Sequence, residues 1–384
     1  MADTCPYCFE ALDPNVIAFR CLQPQNVCEP LDDDALQEFQ RVARAPRLPP
    51  VSVVSRSRLR GLPRKAQCRQ CDHETAKVVC ARCHNQLPAE HRFTDGQSVA
   101  LVGAKGSGKS HLVAVLVNEI ETSWRSRFGL SLGAADEATI RRQKLIRQRL
   151  FDDGATLEAT ARVGANADLR YPLAFQLRGA ARKAGVLSLV FYDTAGEDLE
   201  NAEALERDAR YVVASNAVVM LLDPLQIPFV REQLPGAGLP PQGPDPLEIV
   251  TRITLAVRAH LGLPADKAIA LPLALAFSKV DAVRGLMDPA SRALVASPHR
   301  GGYDEDDGAE VSESVRAHVH EWAGPRLDNF VQANWATHRW FAVSALGRSP
   351  VGTKLAGGLS PNRVDDPLLW LASRWGTVRR GVVG

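Results

Sequence analysis

Residues 98–112 read SVALVGAKGSGKSHL, and the reading of this stretch decides the fold. Four apolar, β-prone residues at 99–102 run straight into Gly103-Ala104-Lys105-Gly106-Ser107-Gly108-Lys109-Ser110, after which Leu112, Val113, Val115 and Leu116 recur at helical spacing. That is strand, phosphate loop, helix. The glycines let the backbone turn its N–H groups inward around an anion, and the helix N-terminus adds a favourable dipole. Lys109 then serves the β- and γ-phosphates, the Ser110 hydroxyl serves Mg²⁺, and Lys105, Gly106, Ser107, Gly108 and His111 complete the candidate nucleotide contacts.

A chain of 384 residues has room for one large or two modest domains. With 45% hydrophobic and 23% charged residues its composition is ordinary for a soluble globular protein. A net charge of +2 gives no bulk attraction to nucleic acid or to anionic membranes. No apolar run approaches the ~18–20 residues that span a bilayer; the longest, at 268–277, is interrupted by Pro272. The start, MADTCPYCFE, lacks the basic and apolar regions of a secretory signal, so a cytoplasmic location is expected.

All eight cysteines fall within the first 83 residues. Cys5-Pro6-Tyr7-Cys8, Cys68-Arg69-Gln70-Cys71 and Cys80-Ala81-Arg82-Cys83 are CxxC turns, which place two thiolates on one side of a metal. Their spacing suits one zinc site from Cys68, Cys71, Cys80 and Cys83 and a second from Cys5, Cys8, Cys21 and Cys28, with a cross-braced pairing left open. Disulfides are disfavoured in a cytoplasmic chain, and redox CxxC motifs do not normally come in threes. A zinc-binding module with a basic linker is therefore expected over 1–92, and a P-loop domain over 93–384. The linker, 31–65, carries Arg41, Arg44, Arg47, Arg56, Arg58, Arg60, Arg64 and Lys65. With few aromatics to stack on bases, it reads more readily as solvated chain than as a nucleic-acid surface.

Downstream, 136–150 has helical spacing with a basic face, and 154–170 is irregular and contains Thr156 and Thr160. Strands are expected at 172–177 and 186–192, the second delivering Asp193-Thr194-Ala195-Gly196-Glu197. An Asp at that strand end can hold Mg²⁺ through water, and Gly196, with no Cβ, lets its N–H approach a γ-phosphate. A helix at 200–213, a strand at 217–223 and a helix at 247–261 come next. The strand ending near 277 presents Ser278-Lys279-Val280-Asp281, whose carboxylate can accept from guanine N1 and N2 while the lysine stem packs along the base. Residues 301–308 read as an acidic surface loop, and 311–333 as helix broken at Pro325. A last strand at 339–343 leads into Ser344-Ala345-Leu346, whose backbone N–H groups suit the base oxygen. A short C-terminal helix then packs Leu368, Leu369, Leu371 and Trp375 on the sheet.

In order, GAKGSGKS, DTAGE, SKVD and SAL resemble the phosphate, Mg²⁺, base and base-support motifs of Ras-like GTPases, over 99–347. The whole layout, from CPYC to the closing RVDDPLLWL, also resembles a bacterial double-GTPase family with an N-terminal zinc-ribbon module found in conflict (defence-type) systems. The resemblance implies an α/β P-loop NTPase three-layer sandwich with a zinc-ribbon-like Cys module, and GTP, Mg²⁺ and Zn²⁺ as cofactors. It assigns Gly103, Gly108, Lys109 and Ser110 to phosphate, and Ser110, Thr160 and Asp193 to Mg²⁺, with Thr156 as second choice for the threonine. It gives catalysis to Lys109, Thr160, Gly196 and Glu197, and the base to Ser278, Lys279, Asp281, Ser344, Ala345 and Leu346.

Three departures bear on function. Ser278 replaces the usual Asn or Thr, Glu197 replaces a water-orienting Gln and would repel the γ-phosphate, and the long span from Gly103 to Asp193 suits an inserted helical, partner-reading segment. The expectation is a GTP-dependent switch with slow intrinsic hydrolysis, accelerated by a protein partner. Two other classes compete: an ATP-driven nucleic-acid enzyme with a zinc-ribbon grip, less favoured, and a pseudo-GTPase scaffold that binds nucleotide without turnover.

Overall fold

A computed structural model describes residues 4–57, 61–88, 92–93, 97–157, 172–179, 186–191, 202–234, 239–355 and 357–381. In the cysteine-rich part, β1 (Val16–Arg20) is followed by α1 (Asp34–Gln40), β2 (Val51–Ser55) and β3 (Lys77–Val79). β1 lies between the other two strands and is antiparallel to both. The Asp33 carboxylate accepts from the Leu36 N–H and so caps α1. Much of the supposed linker is therefore folded: Val51, Val53 and Val54 supply β-branched residues to a strand, and α1 fills the space before it.

β4 (Val99–Gly103) runs through a glycine-rich loop into α2 (Lys109–Glu119). Next come β5 (Leu130–Ala134), α3 (Glu137–Arg147), β6 (Leu173–Gly179), β7 (Val186–Phe191), α4 (Ala202–Val213) and β8 (Ala217–Leu222). The remainder holds α5 (Pro246–Leu261), β9 (Leu273–Phe277), α6 (Glu305–Ala323), α7 (Arg326–Asn334), β10 (His338–Ala342) and α8 (Asp366–Arg374). The order β10-β9-β8-β4 is parallel throughout, with Ala217 opposite Val99 and Leu221 opposite Gly103. β7-β6-β5 form an antiparallel ribbon whose β7 lies alongside β4.

Alternation along β8 explains the layering. Val218, Met220 and Leu222 point into a core shared with α4, α5, α6 and α7, whereas Ala217, Val219 and Leu221 point into a second core shared with α2 and α8. A strand buried on both faces reads as an unbroken apolar run, and such strands belong to α/β sheets covered by helices on either side.

Two expectations change. Residues 301–308 are not a surface loop: Asp304 accepts from the Asp306 and Asp307 N–H groups and starts the 19-residue α6. Its acidic first turn complements the helix dipole, and Asp307 is buried. β5 is an additional strand, hidden from sequence reading because its residues, LSLGA, are few and weakly patterned.

β4 is bonded to β8 along one edge. Toward β7, the Tyr211 hydroxyl of α4 enters between the strands, accepting from the Leu101 N–H at 3.1 Å and donating to the Val190 carbonyl at 2.6 Å, with the Val99 carbonyl at 3.1 Å. A phenol here stands in for ladder hydrogen bonds. Tyr211→Phe leaves two buried backbone groups without this partner, and should lower unfolding stability by about 1–3 kcal/mol, measured by denaturant titration. An unchanged midpoint would show that the bridge contributes nothing.

Candidate functional site

The loop after β4 is shaped by close approach. A Cβ on Gly103 would sit 2.5 Å from the Leu221 carbonyl oxygen and 2.9 Å from Ser107 Oγ, so only glycine fits. Gly108 adopts φ 92°, a left-handed value at the helix entrance that L side chains rarely take. Lys109, buried, donates from Nζ to the Gly103 and Ala104 carbonyls at 2.6 and 3.0 Å. Ser107 Oγ is buried with no hydrogen-bond partner among the described residues. A folded-back lysine and an unsatisfied hydroxyl on one turn fit a phosphate, which would take both.

The other strand ends converge on the same edge. Asp223, buried directly after β8, accepts from Lys279 Nζ at 2.6 Å and from the Leu225 N–H at 3.0 Å. Ser278 turns inward, its N–H and hydroxyl both meeting the Leu222 carbonyl, at 2.8 and 3.2 Å. Lys279 has φ 52°, which starts the short helical turn carrying Asp281. The Ser344 hydroxyl donates to Asp281 Oδ1 and accepts from the Gly347 N–H at 2.9 Å. The Ser344 N–H is taken by the Asn362 carbonyl at 3.0 Å.

His111 Nε2 accepts from the Leu157 N–H at 3.0 Å, fixing its proton on Nδ1. Thr156, the second-choice threonine, bonds through its own N–H to the Thr353 carbonyl at 2.8 Å. Thr160, Asp193, Gly196 and Glu197 lie outside the described residues. Sequence reasoning missed Asp223, although it ends a buried strand as Asp281 nearly does, and it missed Tyr211, which carries no motif.

The cysteines form two tetrads, Cys5-Cys8-Cys80-Cys83 and Cys21-Cys28-Cys68-Cys71. The local pairing expected from spacing is replaced by a cross-brace, and strand direction explains why. With β1 antiparallel to β3, the start of β1 lies beside the end of β3, and the end of β1 beside the start of β3. The knuckle leading into β1 therefore meets the one leaving β3, and Cys21 and Cys28 meet the one before β3. Sγ atoms pair at 3.8 Å (Cys5–Cys83), 3.9 Å (Cys8–Cys80) and 3.7 Å (Cys21–Cys71 and Cys28–Cys68), too long for disulfides. Four sulfurs at about 2.3 Å from a tetrahedral zinc stand about 3.8 Å apart, so the donor set fits that ion. The three CxxC turns share one geometry, with Phe9, Asp72 and His84 left-handed after the second cysteine. Burial opposes ionisation of Cys68, but the Gln70 and Cys71 N–H groups together with the Cys71 and Cys21 side chains outweigh it and bring its pKa to about 7.

His299, Asp307 and Asp366 make a third buried group. Arg363 already occupies it, pairing Asp307 at 2.9 Å and Asp366 at 2.5 Å. His299 Nδ1 accepts from the Asp304 N–H at 3.2 Å, which leaves the neutral ring's proton on Nε2, facing Asp366 Oδ1 at 3.4 Å. His299 Nε2 and Asp366 Oδ1 are buried with no hydrogen-bond partner among the described residues, and the Arg363 guanidinium already balances both carboxylates.

A parallel α/β sheet with a glycine-rich strand-to-helix loop at its carboxyl edge, joined to two groups of four cysteines, defines the class of this protein. The chain is 30% identical over 402 residues, covering 97% of itself and 99% of its relative, to a protein of Mycolicibacterium smegmatis named for a proposed role, the ESX-1 scaffolding and assembly protein SaeC, and it belongs to that family. No protein-family model matches it. Among solved structures it is similar to the small GTPase Arl6 (BBS3) of Trypanosoma brucei with bound GppNp, at 12% identity over 74% of this chain and 99% of that one, TM-score 0.31. It is also similar to the GTP-bound GTPase-like domain of Ski7 from S. cerevisiae, at 13% identity over 73% and 50%, TM-score 0.35. These scores are too low to bear on function.

Elemental analysis should find about two zinc ions per chain; a metal-free folded protein would rule out the thiolate sites. Burial lowers the His299 pKa to about 4. An unfolded histidine titrates near 6.5, so between these values only the unfolded chain takes up the proton, and stability falls as pH drops through the window, by about 3 kcal/mol in all. The loss of urea resistance from pH 7 to pH 4.5 should therefore shrink in His299→Gln.

Proposed function

We propose that this chain binds GTP with Mg²⁺ at the carboxyl edge of its parallel sheet and uses the nucleotide state to control protein partners during assembly. The observation that carries the reading is convergence: β4 ends in the phosphate loop, β8 in Asp223, β9 in Ser278-Lys279-Val280-Asp281 and β10 in Ser344-Ala345-Leu346. Ligands of open α/β sheets bind at such an edge. Ser344 orients the Asp281 carboxylate through one oxygen, which leaves the other to accept from guanine N1 and N2. Adenine offers no donor pair in that arrangement.

Lys109 would exchange the loop carbonyls for phosphate oxygens, and Ser110, at the start of α2, would face the cation together with Asp193 and Thr160. Bound Mg²⁺ would neutralise charge on the β- and γ-phosphates. Turnover through Gly196 and Glu197 rests on sequence alone. The boundary near residue 92 and the two zinc sites belong to the same proposal.

Protein partners are favoured by the role named for the M. smegmatis relative. No comparison attaches the chain to a conflict system. Three of the basic residues near the knuckles are engaged within the chain, which weighs against a nucleic-acid grip: Arg47 donates to the Pro30 carbonyl, Lys65 pairs with Glu74 at 2.8 Å, and Arg64 lies over the Phe93 ring at 4.4 Å. Among the described residues no helix is long and apolar enough to cross a membrane.

A second reading, nucleotide binding without turnover, is favoured by Glu197 where a water-orienting group is needed and by the scaffolding role in the relative's name. Single-turnover assays with radiolabelled GTP separate the two. In competition titrations GTP should displace a fluorescent guanine nucleotide at least about tenfold better than ATP, a margin worth roughly 1.4 kcal/mol. Lys109→Ala should abolish binding, and Asp281→Ala should erase the preference. Equal displacement by ATP and GTP would refute the guanine assignment.

A further inference from the structure

We infer that the first metal knuckle is a positioning element of the nucleotide site, acting through Phe9 and Tyr7 on α4 and α3, so that metal occupancy of the Cys5-Cys8-Cys80-Cys83 cluster sets the rigidity of α4. The two aromatic residues flank Cys8, and each leaves the knuckle to engage the P-loop part. Phe9, left-handed at φ 61°, packs its ring on Tyr211 with centroids 5.5 Å apart and joins the core beneath β8. Tyr7, buried, donates from its hydroxyl to Asp136 Oδ2 at 2.6 Å. Asp136 uses its other oxygen to cap α3 through the Thr139 N–H at 2.7 Å.

The contact with Tyr211 matters most. Its hydroxyl bridges the phosphate-loop strand and β7, and its helix comes directly after the segment that carries Asp193 and Gly196. Phe9 can press on that ring only while its backbone is held in the left-handed turn. That turn is fixed by the Phe9 N–H to Cys5 carbonyl bond of 3.0 Å and by the metal-held thiolates of Cys5 and Cys8. Loss of the metal frees the turn, withdraws the ring and leaves Tyr211 with space beside it. The second cluster, built on Cys21, Cys28, Cys68 and Cys71, lies at the opposite end of β1 and has no such link among the described residues.

Hydrogen exchange on the full-length, nucleotide-free protein tests this directly, because it needs no assumption about GTP. In Cys8→Ser, amides of α4 and of residues 99–102 should exchange about tenfold faster than in the parent, as expected when a local opening becomes easier. Cys71→Ser, which disables the second cluster, should leave them within about twofold of the parent. Phe9→Ala should reproduce the Cys8→Ser pattern with its metal content unchanged by elemental analysis, which keeps the test decisive if Cys8→Ser folds poorly. Tyr7→Phe should accelerate exchange at the start of α3 and spare α4. Unchanged α4 exchange in Phe9→Ala, or equal acceleration in both cysteine variants, would overturn the inference. The consequence for the site rests on the nucleotide reading: GTP affinity should drop in Phe9→Ala. If exchange responds but no variant binds GTP, that reading fails while the coupling stands.

Discussion

The carboxyl edge of the parallel sheet depends on β4 being held along both sides. On one side the constraint is ordinary parallel pairing with β8, which brings Gly103 against the Leu221 carbonyl and fixes where the phosphate loop begins. On the other it is one phenol. Tyr211 suits the position because a rigid ring carries a group that both donates and accepts, so a single hydroxyl satisfies backbone atoms on two strands without polar atoms elsewhere in the core. Because Tyr211 belongs to α4, the strand carrying the phosphate loop and the helix after the Asp193 segment are fixed to each other.

The part of the edge around Asp281 and Ser344 is secured by buried charge. Arg363, left-handed at φ 51° and fully buried, holds Asp307 at the start of α6 and Asp366 at the start of α8. Arg127 answers Asp365 at 2.9 Å, and the Trp124 indole donates to the same carboxylate. Buried ion pairs add little net stability, since desolvation offsets their attraction, but they admit few alternative arrangements. Here the arrangement places Asn362, which brackets Ser344 with two backbone hydrogen bonds, and Ser344 in turn orients Asp281.

The cysteine module solves a different problem. Its apolar core is small, centred on Ile17, Phe19, Val78 and Leu87, and cores of this size rarely suffice alone. A cluster of four cysteines lies at each end of the β1–β3 pair. An Arg20-Asp33-His84 network, with contacts of 2.5 and 2.7 Å, joins the strand pair to the α1 cap.

The sequence alone determined what short-range rules control. Apolar runs leading into Gly103, Asp223 and Ser278-Lys279-Val280-Asp281 marked β4, β8 and β9, helical spacing marked α2 and α5, and three CxxC turns marked metal-ready knuckles, because each signal is local in the chain. It misjudged what depends on partners distant in the chain. An acidic run at 304–307 reads as loop until Arg363, some 56 positions on, buries Asp307 in the first turn of a helix. A basic stretch reads as linker until β1 offers Val51 to Ser55 an edge to pair with. Which knuckles come together, which tyrosine replaces a strand ladder, and which aspartate receives Lys279 were decided by tertiary structure. Antiparallel strand direction and close packing bring those groups together, and no local pattern encodes either.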